Sequence, residues 1–323
     1  IGDKFVSEIG SSRSSSISLL DEVLLSNSDL NINSTSIKDD VLISSVKKIA
    51  VKEQEVLEKS LGSKYLFYFN KYIDKLLSLS EEALKNNIDV KTHIESNFSY
   101  LKDFYKENLL PILERASDRA FSFSQERTKL FNSVSKKYFS DLDLEAIEFL
   151  REETRQNQRL TLEERAINSF SGFNKTKTRQ ILDLIALLLE EGNSLDAIAS
   201  ILRQKFKEAY KEQFFTIVRT EILYAISHGI KWHNTVLSEV FTKVKKQWLH
   251  VGDYNTNPNA RQNHAEFEKL GKVDNTYLFG GILDYPRDPN APGEEVINCR
   301  CSLVTIVPQD ASSNAENILL RNI

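Results

Sequence analysis

The stretch ILDLIALLLEEGNSLDAIASIL, residues 181–202, carries the clearest structural signal in the chain. Its apolar residues recur every three or four positions, which is the spacing of one buried helix face. Gly192 suits the position just after a helix, and Ser194 suits the N-cap of the next helix. We therefore predict that residues 172–240 form a helical hairpin, whose second helix is long and ends near Val240.

The chain before this hairpin also has the pattern of amphipathic helices. Apolar residues recur at helical spacing over residues 41–171, and Thr161 with Glu164 fits a capping box, which predicts a helix start at that point. Residues 1–40 are dominated by Ser, Asn and Asp and are poor in core-forming residues. This composition predicts a polar, flexible arm before the helical region.

After Val240 the pattern changes. Five of the six prolines lie in the last quarter of the chain, and proline interrupts helices. Alternating residues predict strands at 243–252 and 302–307, and the capping residues Asn257 and Gly271 bracket a short helix at 258–270. Two further segments are expected: a strand, tight turn and strand over residues 277–285, and an irregular surface loop over residues 286–293.

These elements predict an α+β fold. A long, mainly helical N-terminal region precedes a small C-terminal module, residues 241–310, of short antiparallel strands and one helix. Residues 311–323 are expected to form a polar tail. No run of apolar residues is long enough for a membrane span, so no membrane partner is expected.

Charge limits the classes of partner. The chain carries 42 Lys and Arg against 46 Asp and Glu, which excludes the strongly basic stripe of a dedicated duplex-DNA binder. Lys and Arg nevertheless exceed Asp and Glu over residues 172–250, and the balance reverses over residues 251–310. The two segments could attract each other. The alternatives are a solvated helix face and a local DNA contact through Lys243, Lys245 and Lys246.

Several chemically capable side chains fall in the C-terminal module: Asp253, Arg261, His264, Glu268, Cys299, Arg300 and Cys301. One interpretation is zinc bound by the histidine and the two cysteines, with Asp253 as a fourth ligand. The spacing argues against it, because structural zinc sites usually separate cysteines by two to four residues and alternate residues on an extended strand are expected to point in opposite or awkwardly placed directions. A disulfide across one residue would be strained. We therefore expect two thiols and no cofactor.

A catalytic interpretation uses His264 as general base, Asp253 to orient it, and Arg219 or Arg261 to hold an anion. The chain lacks a phosphate-binding glycine loop, a paired-carboxylate metal motif and a nucleophile beside the histidine. A structural network of charge-assisted hydrogen bonds is the preferred hypothesis. Its predicted members are Arg219, Glu221, Trp248, Asp253, Arg261, His264, Asn298, Cys299, Arg300 and Cys301.

Arg219 and Glu221 lie two positions apart on the long helix, so they cannot pair with each other. We predict that one or both contact the C-terminal module and clamp it to the helix. Trp232 and Trp248 are predicted to be buried anchors of the core.

The order and spacing of residues from about Gly172 to Val307, less than half of the chain, resemble one known family. The matching residues are Ile217-Val218-Arg219-Thr220-Glu221, Ala225, Gly229, Trp248, Asp253, Arg261, His264, Gly271, Tyr285-Pro286, Asp288 and Glu295-Val296-Ile297-Asn298-Cys299-Arg300-Cys301. Together they resemble the phage Mu F-like head morphogenesis, or minor head protein, family.

The resemblance implies a minor head protein of a tailed bacteriophage, present in few copies with the portal. The resemblance implies that such a protein acts in head assembly, and it extends the expectation to DNA packaging or ejection. The implied partners are the portal protein, the major capsid or scaffolding protein, and double-stranded DNA. The implied location is the capsid interior near the portal, with assembly in the host cytoplasm. It implies no catalytic residues. The alternatives are a nucleic-acid-processing hydrolase or transferase using Asp253, Arg261 and His264, and a non-catalytic DNA-binding module.

Overall fold

The computed structural model describes residues 35–134, 139–251, 262–297 and 299–321. Within these ranges the chain is helical up to Val240. In chain order its helices are α1 (Thr35–Leu57), a π-helical segment (Glu58–Gly62), α2 (Ser63–Lys85), α3 (Val90–Ser96), α4 (Phe98–Asn108), α5 (Leu110–Val134), α6 (Asp141–Glu190) and α7 (Leu195–Val240). None of the described helices combines the length and hydrophobicity needed to cross a bilayer.

The C-terminal module contains a small antiparallel sheet. Its elements are β1 (Lys245–Leu249), α8 (Gln262–Lys269), β2 (Val273–Asp274), α9 (Gly293–Val296), β3 (Ser302–Ile306) and α10 (Ala315–Leu320). The strand order is β2-β1-β3, with Trp248 opposite Leu303 in the longer pairing. The predicted α+β fold, with a long helical region before a small module of antiparallel strands, is confirmed.

The predicted hairpin is confirmed where local signals were strongest. Gly192 takes a positive φ of 84° between α6 and α7, and the Ser194 side chain accepts a hydrogen bond of 3.2 Å from the Ala197 backbone N–H.

Upstream, the predicted helix start at Thr161 is wrong. Its hydroxyl donates to the Asn157 carbonyl at 3.0 Å within α6, which runs unbroken for 50 residues. That helix begins instead at a capping box formed by Ser140 with Asp143, and it spans the expected boundary at residue 171.

Other boundaries also differ from expectation. The two strands predicted over residues 277–285 do not form; only an isolated bridge joins Phe279 and Leu283 around the glycine turn. The predicted arm gives way to α1 at Thr35, and residues 1–34 lie outside the described residues. The predicted polar tail contains α10, whose Ala315 and Ile318 are buried against apolar residues of α6.

Helix α7 is the centre of the molecule. All ten residues from Glu221 to Ile230 are buried, so this helix is covered on every side by α2, α5, α6 and the module. The largest apolar core includes Leu57 and Ile222 of the helices together with Trp248 and Cys301 of the module. The module therefore shares the helical core and does not depend on polar contacts alone.

A buried histidine on α7 makes stability depend on pH. His233 is fully buried against Phe121, with ring centroids 5.2 Å apart, and neither ring nitrogen has a hydrogen-bond partner among the described groups. Burial lowers the pKa of His233 to about 3, and the charges of Arg127, Lys129 and Arg151 act in the same direction. Below pH 6.5 His233 binds a proton in the unfolded chain but stays neutral in the folded chain. The free energy of unfolding therefore falls as the pH falls from 6.5 towards 3.

When the pH falls from 7.5 to 4.5, the parent should lose about 2 to 3 kcal/mol of unfolding free energy through His233. The His233→Leu protein should not show this loss. Glu53, whose pKa burial raises to about 7, changes stability in the opposite direction but does so in both proteins. Urea unfolding at the two pH values measures the difference. Leu237→Ala, at a buried neighbour, should cost about 2 to 5 kcal/mol equally at both. A parent-to-variant difference independent of pH would contradict the assignment.

Candidate functional site

One histidine and the two cysteines meet inside the C-terminal module. His264 lies on α8, and the Cys299 and Cys301 sulfurs each lie 3.6 Å from its Nδ1 atom. All three residues are at most 3% exposed. The expected opposite or awkward placement of the two cysteines is wrong, because Cys299-Arg300-Cys301 precedes β3 in an irregular conformation and is not part of the strand.

The other nitrogen of this histidine is held in place. His264 Nε2 lies 2.8 Å from Glu295 Oε2, and Asn263 Nδ2 donates to the same carboxylate at 3.0 and 3.1 Å. Glu295 belongs to α9, so the contact joins two short helices. With Nε2–H donating to the carboxylate, the lone pair of Nδ1 points to the two sulfurs.

Aromatic side chains enclose the cluster. The Trp248 ring, from β1, contacts His264, Phe267 and Phe279 with centroid separations of 5.0, 5.2 and 4.9 Å, all edge to face. Trp248 is fully buried and Trp232 is 3% exposed, which confirms both as buried anchors of the core. The cluster therefore lies in an environment of low polarity, where each polar contact is stronger than it would be in water.

A buried arginine supports the cysteine segment from the other side. Arg287 is 2% exposed; its Nε and Nη2 atoms donate to Ser227 Oγ on α7 at 2.9 and 2.6 Å, and its Nη1 donates to the Cys299 carbonyl. Its backbone takes a φ of 65°, which residues other than glycine adopt only where the surroundings hold them. The prediction of a surface loop over residues 286–293 is wrong at Arg287 and Asp288, both buried.

The surroundings shift the pKa values of the two thiols in opposite directions. A hydrogen bond from the Cys301 thiol lowers the pKa of Cys299 well below its usual value, and the positive charge of Arg287 acts in the same direction. Burial raises the pKa of Cys301 well above its usual value, and the neighbouring Cys299 raises it further. The cluster therefore stabilises the thiolate of Cys299 before that of Cys301.

Three members of the predicted network, Asp253, Arg261 and Asn298, lie outside the described residues. Glu268 accepts from Lys47 of α1 at 2.8 Å and from the His250 backbone N–H at 3.1 Å.

Two arginines share one carboxylate between the helices and the module. Glu58 lies 3.9 Å from Arg300 and 3.6 Å from Arg219. Arg219 thus approaches the module through a shared carboxylate. The expectation of a direct clamp between Arg219 and the module is not met by these contacts.

Glu221 does not reach the module either. Its carboxylate accepts from Arg165 at 2.5 Å and from Ser169 at 2.8 Å, both on α6. The Arg165 guanidinium also lies over the Tyr224 ring, 4.1 Å from its centroid. The predicted clamp at this position is therefore an internal bond of the helical hairpin.

The three lysines suggested for DNA contact differ in availability. Lys246 is fully buried and donates to the Asp284 carboxylate and, at 2.8 Å, to the Asp284 carbonyl, so it is wrong as a DNA contact. Lys243 is exposed and pairs with Asp310 at 2.6 Å, and Lys245 is partly exposed.

A lysine of α7, Lys231, also pairs with Asp284 of the module at 2.6 Å. Attraction between the basic and acidic segments thus joins the helix to the module.

This geometry limits the chemistry of the site. His264 is 1% exposed and both of its ring nitrogens are engaged, which does not suit a general base that must reach a substrate. Two sulfurs and an imidazole nitrogen facing one another are instead the donor set of a thiophilic metal ion. The roles of Arg287, Glu295 and Asp284 were not predicted, since each depends on partners that are distant in sequence.

Comparison with known proteins adds a relative without a described role. The chain is 24% identical over 296 residues to an uncharacterized protein, YqbB, of Bacillus subtilis (strain 168), an alignment that covers 84% of this chain and 92% of YqbB. No family model matches the chain. No solved structure matches it.

Proposed function

We propose that this chain is a minor head protein of a tailed bacteriophage, associated with the portal in the capsid interior and acting in head assembly. The observation that carries the proposal is the ordered set of residues from Arg219 to Cys301, which resembles the Mu F-like family in identity and spacing. That resemblance assigns an assembly role and no catalytic residue.

The contacts of these residues suit a structural role. Glu221, Trp248 and His264 are buried and packed or bonded to neighbouring elements, so they stabilise the fold. The module is fixed to α7 by polar links from Arg287, Asp284 and Asn275. A rigid joint of this kind can hold the module in a constant position against a larger assembly.

The long helices offer surfaces for the proposed partners. Large apolar side chains are exposed at separate positions along the helical region. They include Phe67, Leu160, Leu187 and Phe215, exposed by 54%, 52%, 51% and 41%. We assign portal and capsid or scaffolding contacts to this helical region. A role in DNA packaging or ejection would use local contacts, for which Lys243 and Lys245 remain.

Assembly of heads in a host cell tests this proposal. With portal, scaffolding and major capsid proteins co-expressed, we expect the chain to sediment with procapsids in few copies per particle, and to leave that fraction when the portal gene is omitted. A chain that stays at the top of the gradient beside complete procapsids would contradict the proposal. DNA hydrolysis by the purified chain that His264→Ala abolishes would favour the hydrolase alternative instead.

A further inference from the structure

We infer that His264, Cys299 and Cys301 bind one zinc ion or a similar thiophilic divalent cation. Their donor atoms all lie within 4.8 Å of one another, with each sulfur 3.6 Å from His264 Nδ1. Zinc binds sulfur at about 2.3 Å and imidazole nitrogen at about 2.0 to 2.1 Å, so in a tetrahedral site sulfur and nitrogen lie about 3.6 Å apart. The protein already holds both sulfur–nitrogen distances at the value that such a site requires.

Hydrogen bonding alone explains this arrangement less well. Nε2 of His264 faces the Glu295 carboxylate, which leaves Nδ1 with a single lone pair. The Cys301 thiol can donate to Cys299 and the Cys299 thiol to Nδ1, but this leaves the equal 3.6 Å approach of Cys301 to Nδ1 without a hydrogen bond. A disulfide between Cys299 and Cys301 would close a strained ring across one residue. A cation at the centre satisfies all three donor atoms together.

The neighbours of the cluster are those that a metal site uses. A histidine that binds a metal through one nitrogen commonly donates the other N–H to a carboxylate, which fixes the ring and increases its basicity. Glu295 occupies that position, and its own carboxylate is held by Asn263. Nδ1 is thereby directed at the sulfurs before any ion binds.

Buried charge also favours the ligand form of the cysteines. The hydrogen bonds of Arg287 go to neutral oxygens, of Ser227 and of the Cys299 backbone, although its guanidinium is buried. A buried cation is stabilised by anionic groups nearby, and the groups whose negative charge acts on Arg287 are Cys299, Cys301 and Glu58. Two thiolates also neutralise a divalent cation, so the bound site adds no net charge to the interior.

The ion would cross-link two parts of the C-terminal module. It would join α8 to the segment that enters β3, closing a loop of about 35 residues between His264 and Cys299, and would stabilise the folded state through its binding energy. The three protein donors leave one tetrahedral position for water or a further donor. Because all three are at most 3% exposed, the site braces the module.

The test uses the full chain, kept reduced and stripped of metal by a chelator. On titration with Co²⁺ we expect the sulfur-to-cobalt charge-transfer absorption and the visible bands of a tetrahedral site, saturating at one equivalent and removed by Zn²⁺. We also expect one bound zinc per chain by metal analysis, and a melting temperature that rises when Zn²⁺ is added.

The double variant Cys299→Ser with Cys301→Ser should lose the absorption and the stoichiometric zinc. His93→Ala, at a histidine on α3, should keep both. A parent chain that shows no sulfur-to-cobalt absorption overturns the proposal, whatever the variants do. So does undiminished zinc binding by a folded double variant. The outcome is independent of whether the chain is a head protein.

Discussion

Replacing Gly229 with alanine is expected to destabilise the protein by about 3 kcal/mol or more, because α5 and α7 touch backbone to backbone at this position. A Cβ atom on Gly229 would lie 2.0 Å from the Ser117 carbonyl oxygen, 2.8 Å from its carbon and 3.0 Å from the Ala120 Cβ. A backbone carbonyl cannot rotate away, so the two helices would have to separate. Their separation would also strain the 3.0 Å contact between Ser117 Oγ and His228 Nδ1.

A second helical glycine provides a matched control. Gly172 lies within α6 and has no atom within 4 Å of an added Cβ, so Gly172→Ala should stabilise the protein by about 0.5 to 1 kcal/mol through helix propensity alone. Urea denaturation followed by circular dichroism measures both changes. Equal effects of the same sign at the two positions would show that the close approach of α5 and α7 is misplaced.

Local signals in the sequence predict a helix end correctly where interactions within one turn of chain determine it. Gly192 and Ser194 were recognised because a glycine with positive φ and a serine N-cap act over one turn of chain. Thr161 with Glu164 has the same local pattern but lies in mid-helix, where α6 packs on its neighbours and continues. Tertiary packing overrode a propensity that is worth only about 1 kcal/mol.

The candidate site could be predicted in composition but not in geometry. His264, Cys299 and Cys301 were singled out for their chemistry, yet their convergence depends on an irregular segment that a strand pattern does not describe. Arg287 falls in the proline-rich run 286–293, for which the sequence predicts a surface loop, whereas its partner Ser227 lies on α7, 60 residues away in sequence. Only the folded chain brings these groups together.

The ion pair of Glu221 leads to the second large expected effect. Its carboxylate is 5% exposed and bonds both Arg165 and Ser169, whereas the Arg165 side chain is 24% exposed. Glu221→Ala removes one partner and leaves a mostly buried guanidinium uncompensated. We expect a loss of about 3 to 5 kcal/mol in unfolding free energy, the usual result of breaking a buried pair. Glu114→Ala, which removes the more exposed pair with Arg159, should cost about 0.2 to 1 kcal/mol.

A double variant separates the charge of Glu221 from its volume. If the loss arises from the unpaired guanidinium, Glu221→Leu combined with Arg165→Met should be more stable than Glu221→Ala alone, because an apolar pair of similar volume leaves no buried charge. Urea unfolding of the single and double variants measures this coupling. A double variant no more stable than Glu221→Ala would show that the unpaired guanidinium is not the source of the loss.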